Sequence, residues 1–275
     1  MRFLGIDFGW QGHPSGVASL GWDGRALTTR ALDRLQTAGE VLEWIAREAG
    51  RHGAMIAVDA PTIIVNPTGR RPAEAEAQRK FARYHAGCHP ANLGRPFAAH
   101  TVAFGRSLEA MGFVHACRIE PRRAGRYQIE VHPHAAAVRL FELDRIVKYK
   151  KGTVAQRAAE LERFRGLLLQ FLPRLRPAVA GLALPAATPP LKDSEDRFDA
   201  LLAAYTGAHW WYWGTARNDV LGDGETGYIV VPLAASSGVQ ESPPYTDCSR
   251  LPVNTWDGAP CATTSPSRRM TSESA

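Results

Sequence analysis

RFLGIDFGW, from Arg2 to Trp10, is an apolar run that is interrupted by glycine and carries one acid, Asp7. A short run of this kind predicts a strand buried in the core. Burying a charged side chain is unfavourable unless it is paired or binds a ligand. The first predicted strand therefore supplies both core residues and a candidate site residue.

The segments that follow alternate between strand and helix patterns. Strands over 16–22 and 26–31 meet at Asp23-Gly24, a dipeptide that favours a tight hairpin turn. Thr37, with Glu40 three residues later, predicts the start of a helix. Further strands are predicted over 55–58, 127–131 and 228–232, and further helices over 134–145, 153–172 and 194–213. This order predicts an α/β fold in which helices flank a mixed sheet.

Composition divides the chain into a folded domain over 1–235 and a Ser/Thr/Pro-rich tail over 236–275. The tail lacks apolar periodicity, so we expect it to be disordered. Within the domain, residues 61–128 contain eleven Lys and Arg side chains and four Glu. We expect this long basic insertion to be irregular in structure and to form a face that binds nucleic acid.

Several protein classes are excluded by composition. The 275 residues are 45% hydrophobic and carry a formal charge of +6, which excludes fibrous and wholly disordered proteins. The longest charge-free stretches are broken by proline, so no membrane-spanning helix is expected, and Asp7 interrupts any secretory signal. The four cysteines are scattered and never form a C-x-x-C pair. We therefore expect a reduced, cytoplasmic protein without a disulfide partner.

Acids recur at or near the ends of the predicted strands. They are Asp7 in LGIDFG, Asp59 in IAVDAP and Glu130 in YQIEVHP. Asp196 and Asp199 are three residues apart in the last helix, so both lie on one helical face. A lone Asp after a strand is more often a turn residue. Taken together, these acids supply oxygen ligands from separate strands, which suit Mg²⁺ or Mn²⁺. Two such ions can activate a water molecule to attack a phosphodiester.

Several short motifs, taken in their order along the chain, resemble those of a known family. They are GIDFGW, AVDAP, EVHP, KYKKG leading into Gln156-Arg157, DRFDALLAAYTG and GYIVVP. In this order they resemble the predicted RNase H-like nuclease family, known as domain of unknown function 429. The resemblance covers about residues 1–235 and implies an RNase H-like fold with a metal-dependent acidic site.

The resemblance also implies individual roles. Asp7 fits the first-strand aspartate that would bridge two metals, and Asp59 and Glu130 fit the acids of two later strands. Asp199 fits the late-helix aspartate, and Asp196 is its alternative. The candidate metal ligands are therefore Asp7, Asp59, Glu130 and Asp199, and Asp196 joins them in the candidate catalytic set.

Three further residues are candidates for substrate binding: Lys150, Arg157 and His132. Lysines of the VKYKKG segment can contact phosphates, although they can equally form a solvated loop. His132 follows Glu130 and titrates near neutral pH, so it can also assist proton transfer. Its alternative role is that of a packed imidazole beside Pro133.

The leading function is a divalent-metal-dependent nuclease that cleaves DNA or RNA. A non-catalytic scaffold that binds nucleic acid or protein is the second possibility, because fold does not determine function. A phosphotransferase of the actin/sugar-kinase type is the third, since Gly5-Ile-Asp7-Phe-Gly9 matches its phosphate turn. A body of about 235 residues without an internal repeat is short for the two lobes that such kinases need.

Overall fold

The computed structural model describes residues 1–51 and 53–234. The expected disordered tail over 236–275 lies outside these residues. The strands are β1 (Arg2–Asp7), β2 (Ser15–Trp22), β3 (Leu27–Leu35), β4 (Ala54–Val58), β5 (Val114–His115), β6 (Arg126–Glu130), β7 (Asn218–Asp223) and β8 (Gly227–Pro232). The helices are α1 (Ala38–Ala49), α2 (Pro72–Phe81), α3 (Ala98–Ala110), α4 (Pro133–Leu140), α5 (Val154–Phe171) and α6 (Leu191–Trp213).

A six-stranded mixed sheet forms the centre of the described residues, in the order β3-β2-β1-β4-β6-β5. Strands β1, β4, β6 and β5 run parallel to one another, and β2 is antiparallel to both β1 and β3. The mixed α/β sheet flanked by helices is therefore confirmed. The capping box predicted at Thr37 and Glu40 also forms at the start of α1.

The register of the three central strands places Ile6 beside Val58 and Val58 beside Glu130. Side chains in register on parallel strands lie on the same face of the sheet, and successive residues alternate between faces. Glu130 therefore shares a face with Ile6 and Val58, whereas Asp7 and Asp59 lie on the other face.

Helix α6 crosses the face that carries Asp7 and Asp59. A methyl group at Gly5 would collide with the carbonyl oxygen of Ala200, and one at Gly16 would collide with that of Asp196. Glycine at these two strand positions therefore allows the backbone of α6 to approach the sheet closely. This contact brings the acidic turn of α6 to the carboxyl end of β1.

Residues 61–128 differ from the expected irregular insertion, because they contain α2, α3 and strand β5. Pro72 occupies the first turn of α2, where its missing N–H costs nothing. Ala73, Ala77 and Phe81 then form the buried face of that helix. The charged and polar residues between these positions hide the helical period of the apolar residues.

The strand predicted over 228–232 is one half of a hairpin whose other strand, β7, was not predicted from the sequence. Strands β7 and β8 pair antiparallel in a separate two-stranded sheet, and Val230 makes one bridge to Val131 beyond the end of β6. In the connecting turn, the carboxylate of Asp223 accepts hydrogen bonds from the N–H groups of Glu225 and Thr226. Among the residues described here, no helix is long and apolar enough to cross a membrane.

Candidate active site

A cavity of about 830 Å³ opens at the carboxyl ends of β1, β4 and β6. Ligands of open α/β sheets collect in this position. We call it the central cavity. Four of the five predicted acids line it: Asp7, Asp59, Glu130 and Asp196. Five cations also line it: Arg71, Lys148, Lys150, Lys151 and Lys192. Asp199, the fifth acid, is fully buried in α6 behind this lining.

Asp7 and Asp59 line the cavity at the carboxyl ends of adjacent strands. Strands β1 and β4 are parallel neighbours, and the N–H of Asp59 donates to the carbonyl oxygen of Ile6 at 2.8 Å. Both side chains are half-buried. Among the hydrogen bonds and ion pairs of the described residues, none involves either of these two carboxylates. They are therefore the two acids of the set that lack a partner of their own.

Burial raises the pKa of both members of this pair. The pKa of Asp7 lies well above its ordinary value because of desolvation, and the charges of Asp199 and Asp59 reinforce the effect. Desolvation raises the pKa of Asp59 to about 7, with Asp199 and Glu130 adding to the rise and Lys150 opposing it. The ionised form of both carboxyl groups is therefore unfavourable without a cation, and a bound cation would favour it.

Asp199 approaches this pair from α6 but already has two partners. Its Oδ1 accepts a hydrogen bond from the hydroxyl of Tyr149, and its Oδ2 lies 2.8 Å from Nζ of Lys150. Although burial opposes ionisation, the Lys150 ammonium holds the pKa of Asp199 below its ordinary value. Asp199 is thus a carboxylate that is neutralised inside the protein.

Glu130 lies on the other face of the sheet and binds an arginine. Nη2 and Nη1 of Arg71 donate to its two carboxylate oxygens at 2.6 and 2.9 Å. Arg71 also donates to Glu74 at 2.7 Å from Nε and to the carbonyl oxygen of Ile63. Burial raises the pKa of Glu130 to about 7 even though Arg71 opposes this. The three charged groups form a buried cluster with both acids held by one guanidinium.

Asp196 is also paired within the fold. Nε of Arg34 lies 2.8 Å from its Oδ2, and Nζ of Lys192 lies 2.7 Å from its Oδ1. Asp196 therefore lines the central cavity one turn of α6 before Asp199, with two cations of its own. The structure brings Asp7, Asp59 and Asp199 together, and it gives Glu130 and Asp196 separate partners.

The three predicted substrate-binding residues occupy different environments. Lys150 lines the cavity with 36% of its side chain exposed. Arg157 donates from Nε to the carbonyl oxygen of Tyr149 at 3.2 Å and lies 3.4 Å from Glu195, so its guanidinium holds the segment that carries Lys150.

His132 also lines the cavity, and its ring is bonded to the backbone. Its Nε2 lies 3.2 Å from the carbonyl oxygen of Ala86, which can only accept, so this nitrogen carries the hydrogen. Burial lowers the pKa of His132 to about 4, and the imidazole is therefore neutral near pH 7.

Two important residues, Arg71 and Tyr149, were missed by sequence reasoning. Arg71 lies among many other arginines, and its only signal is Glu74 three residues later, whose carboxylate accepts a hydrogen bond from the backbone N–H of Arg71 at the start of α2. Tyr149 lies between two lysines in VKYKKG, where alternation with Val147 could have indicated burial.

The donor chemistry tests the expected metal site. Among the described residues, no three His, Cys, Asp or Glu side chains are arranged as a metal-binding group. Glu130 and Asp199 are bound to Arg71 and Lys150, so the expected four-acid set is not free to bind metal in this arrangement. Asp7 and Asp59 do fit a single hard cation, because Mg²⁺ is commonly held by one or two carboxylates together with waters and substrate oxygens.

Comparison with known families identifies the chain. Residues 5–223 match the family model described as Protein of unknown function (DUF429). The chain belongs to this family. The matched DUF429 region contains all five predicted acids and extends from β1 to the end of β7. The family indicated by the sequence motifs is thus confirmed, and a comparison with curated proteins found no match.

Proposed function

We propose that this DUF429 protein is a divalent-metal-dependent hydrolase that cleaves phosphodiester bonds of nucleic acid on an RNase H-like core. The proposal depends chiefly on the Asp7–Asp59 pair. These two half-buried acids lie at the carboxyl ends of adjacent parallel strands, face a cavity of about 830 Å³, and have no ion-pair partner among the described residues. Unpaired carboxylates in such a cavity are unfavourable without a ligand.

Asp7 and Asp59 would hold Mg²⁺ or Mn²⁺, which when bound would activate water and stabilise negative charge on the phosphodiester. The carboxylates must be ionised to do so, which couples metal binding to pH. Lys150 is the cation beside this pair, and its partly exposed side chain is suited to contact a phosphate oxygen. His132 is a weak base at pKa about 4, so its expected part in proton transfer has little support.

The proposed partner is nucleic acid, and the proposed location is the cytoplasm. The cations of residues 61–128 do not share one surface: Arg71 is buried against Glu130, whereas Arg126 lies at the opposite end of β6 and stacks on Phe113. Nucleic-acid contact is therefore better assigned to the lysines beside the cavity. Cys88 and Cys117 are free thiols, which supports a reducing compartment.

A non-catalytic scaffold is the second candidate, and the ion pairs favour it. Glu130, Asp196 and Asp199 are each bound by a cation of the same chain, as expected for acids that stabilise a fold. In such a scaffold, Asp7 and Asp59 would also be dispensable for the protein's biological activity. Loss of hydrolysis in variants of this pair separates the two functions.

The kinase-like alternative has less support. The first glycine of its motif, Gly5, lies inside β1, where the close approach of Ala200 explains the missing side chain. The described residues contain one six-stranded sheet and one two-stranded sheet, and no repeat of the larger sheet. A phosphate-binding role for Gly5 is therefore not needed to account for it.

The test is hydrolysis of labelled single-stranded DNA, single-stranded RNA, hybrid, flap and junction substrates in Mg²⁺ or Mn²⁺. The full chain is compared with Asp7→Asn and with Glu43→Gln, a substitution of an exposed acid on α1 that is not among the lining residues of the cavity. We expect metal-dependent cleavage that falls about 100-fold or more in Asp7→Asn, because loss of a metal ligand removes several kcal/mol of transition-state stabilisation. Glu43→Gln should cleave normally. Absence of cleavage by the folded wild-type protein would reject the proposal.

A further inference from the structure

A second concave surface adjoins the central cavity. It is a groove of about 510 Å³ between α5 and the segment that precedes it. Four cations line it: Arg145, Lys148, Lys151 and Arg163. Glu160 is the only acid among its lining residues. We call this surface the basic groove.

The basic groove and the central cavity share one wall. Ile146, Lys148 and Lys151 line both of them. They belong to the segment 146–152, in which Val147 and Tyr149 are buried and the lysines between and after them are exposed. A ligand that extends out of the central cavity past this segment therefore enters the basic groove.

The shared wall is held in place from both sides. Arg157 of α5 donates to the carbonyl oxygen of Tyr149, and the hydroxyl of Tyr149 donates to Asp199 of α6. Immediately after the segment, Thr153 and Gln156 form the capping box of α5. The exposed lysines are thus mounted on a fixed segment, which reduces the cost of ordering them on a ligand.

The charge of the basic groove is largely unbalanced. Glu160 accepts a hydrogen bond from the backbone N–H of Lys148 at 3.1 Å and lies 3.5 Å from Arg163, so it neutralises one cation at most. Within residues 1–51 and 53–234, no acid pairs with Arg145, Lys148 or Lys151. By contrast, Lys192 and Arg71 at the central cavity are each bound by acids. Three free cations in one concavity form an anion-binding surface.

We propose that the basic groove binds the phosphates of a nucleic-acid strand whose scissile bond lies in the central cavity. This inference rests on the proposed function and specifies its substrate: a polynucleotide strand rather than a mononucleotide ester. Contacts of Lys and Arg with phosphates position a strand without reading its bases. Binding through the groove is therefore independent of sequence and weakens with salt.

The experiment measures binding of fluorescein-labelled 20-nucleotide DNA and RNA strands by anisotropy, in EDTA, over a series of salt concentrations. The full chain is compared with the triple variant Arg145→Gln/Lys148→Gln/Lys151→Gln. The matched control is Arg47→Gln/Arg51→Gln/Arg118→Gln, which removes the same charge from three exposed arginines elsewhere. Melting curves verify that both variants fold.

The groove variant should bind about 100-fold more weakly near 0.1 M salt, with a salt slope smaller by about 2, as expected for three lost phosphate contacts. The control should bind within about threefold of the wild type. Equal binding by the two variants, or no binding by the wild type, would overturn the inference.

A second readout separates this inference from the proposed function. Bis(p-nitrophenyl) phosphate is a small diester that can enter the central cavity without reaching the groove. The double variant Arg145→Gln/Arg163→Gln, whose two residues line the groove but not the central cavity, should hydrolyse it at the wild-type rate while losing affinity for the strands. If the wild type hydrolyses neither the diester nor the labelled strands, the proposed function fails, whereas the binding data still decide the role of the groove. A variant that loses both activities in proportion would contradict a separate binding role.

Discussion

Two clusters of acids lie near the same end of the sheet, and their charge is balanced in different ways. Glu130 and Glu74 are held by Arg71, whose side chain is 1% exposed and forks onto both carboxylates. Asp7, Asp59 and Asp199 lie beside Lys150, whose side chain is 36% exposed and forms an ion pair with Asp199 alone. The first, which we call the closed cluster (Arg71, Glu74 and Glu130), is structural. The second, which we call the open cluster (Asp7, Asp59, Asp199 and Lys150), keeps two carboxylates available to a ligand.

The largest expected effect comes from breaking the closed cluster. Arg71→Met leaves two acids buried without their cation, so the free energy of unfolding should fall by about 3–5 kcal/mol. Lys80→Met is the matched control, because it breaks the half-exposed pair with Asp219 and should cost about 1 kcal/mol or less. Urea denaturation followed by circular dichroism measures both. A loss of under about 1 kcal/mol for Arg71→Met would show that the closed cluster is not structural.

The open cluster should make the free energy of unfolding depend on pH. The pKa of Asp59 is about 7 in the folded protein, above its value of about 3.9 in an unfolded chain. Folding is therefore favoured most below the unfolded pKa, and this contribution is lost as pH rises from about 4 through 7. Asp59→Asn has no carboxyl group to ionise, so it should not lose this stability as pH rises. In metal-free buffer its free energy of unfolding at pH 8 should therefore exceed that of the wild type by about 2 kcal/mol.

The measurement for this variant is the difference in melting temperature between Asp59→Asn and the wild type from pH 5 to pH 8. Taking the difference cancels buried histidines such as His132, whose lowered pKa acts in the opposite direction. The variant's advantage should grow with pH. A constant difference would mean that the pKa of Asp59 is not raised.

The smallest expected effect is that of the cation in the open cluster. Lys150→Met should lower the free energy of unfolding by about 1 kcal/mol, because its side chain is partly exposed and Asp199 keeps the hydrogen bond from Tyr149. The variant should also bind Mn²⁺ more tightly, since a positive charge beside Asp7 and Asp59 is gone. Chemical denaturation and metal titration test these effects. A loss as large as that of Arg71→Met would remove the distinction between the clusters.

The sequence predicted the strands and the acids but not their division into two clusters. Apolar runs ending in Asp7, Asp59 and Glu130 are local signals, and β1, β4 and β6 form where those runs lie. The face on which each acid lies depends on the register between strands, and Val58 pairs with Glu130 rather than with Val131. A shift of one residue in register reverses the face. No local pattern contains this information.

The partners of the acids were equally difficult to predict, because they come from distant segments. Arg71 reaches Glu130 across 59 positions, and Tyr149 reaches Asp199 across 50. Tertiary packing selects one arginine of a basic region for burial, and composition gives the same weight to all of them. The structure of residues 61–128 was likewise hidden, because charged residues separate the buried positions of α2.

The central claim is that Asp7 and Asp59, and not Glu130, hold the catalytic cation. Isothermal titration of metal-free protein with Mn²⁺ tests it most directly, on the wild type, Asp59→Asn and Glu130→Gln, with melting curves confirming that each is folded. We expect one ion to bind the wild type, at least about tenfold weaker binding to Asp59→Asn, and binding to Glu130→Gln within about threefold of the wild type. Loss of binding in Glu130→Gln with full binding in Asp59→Asn would contradict the claim, as would a wild-type protein that binds no Mn²⁺.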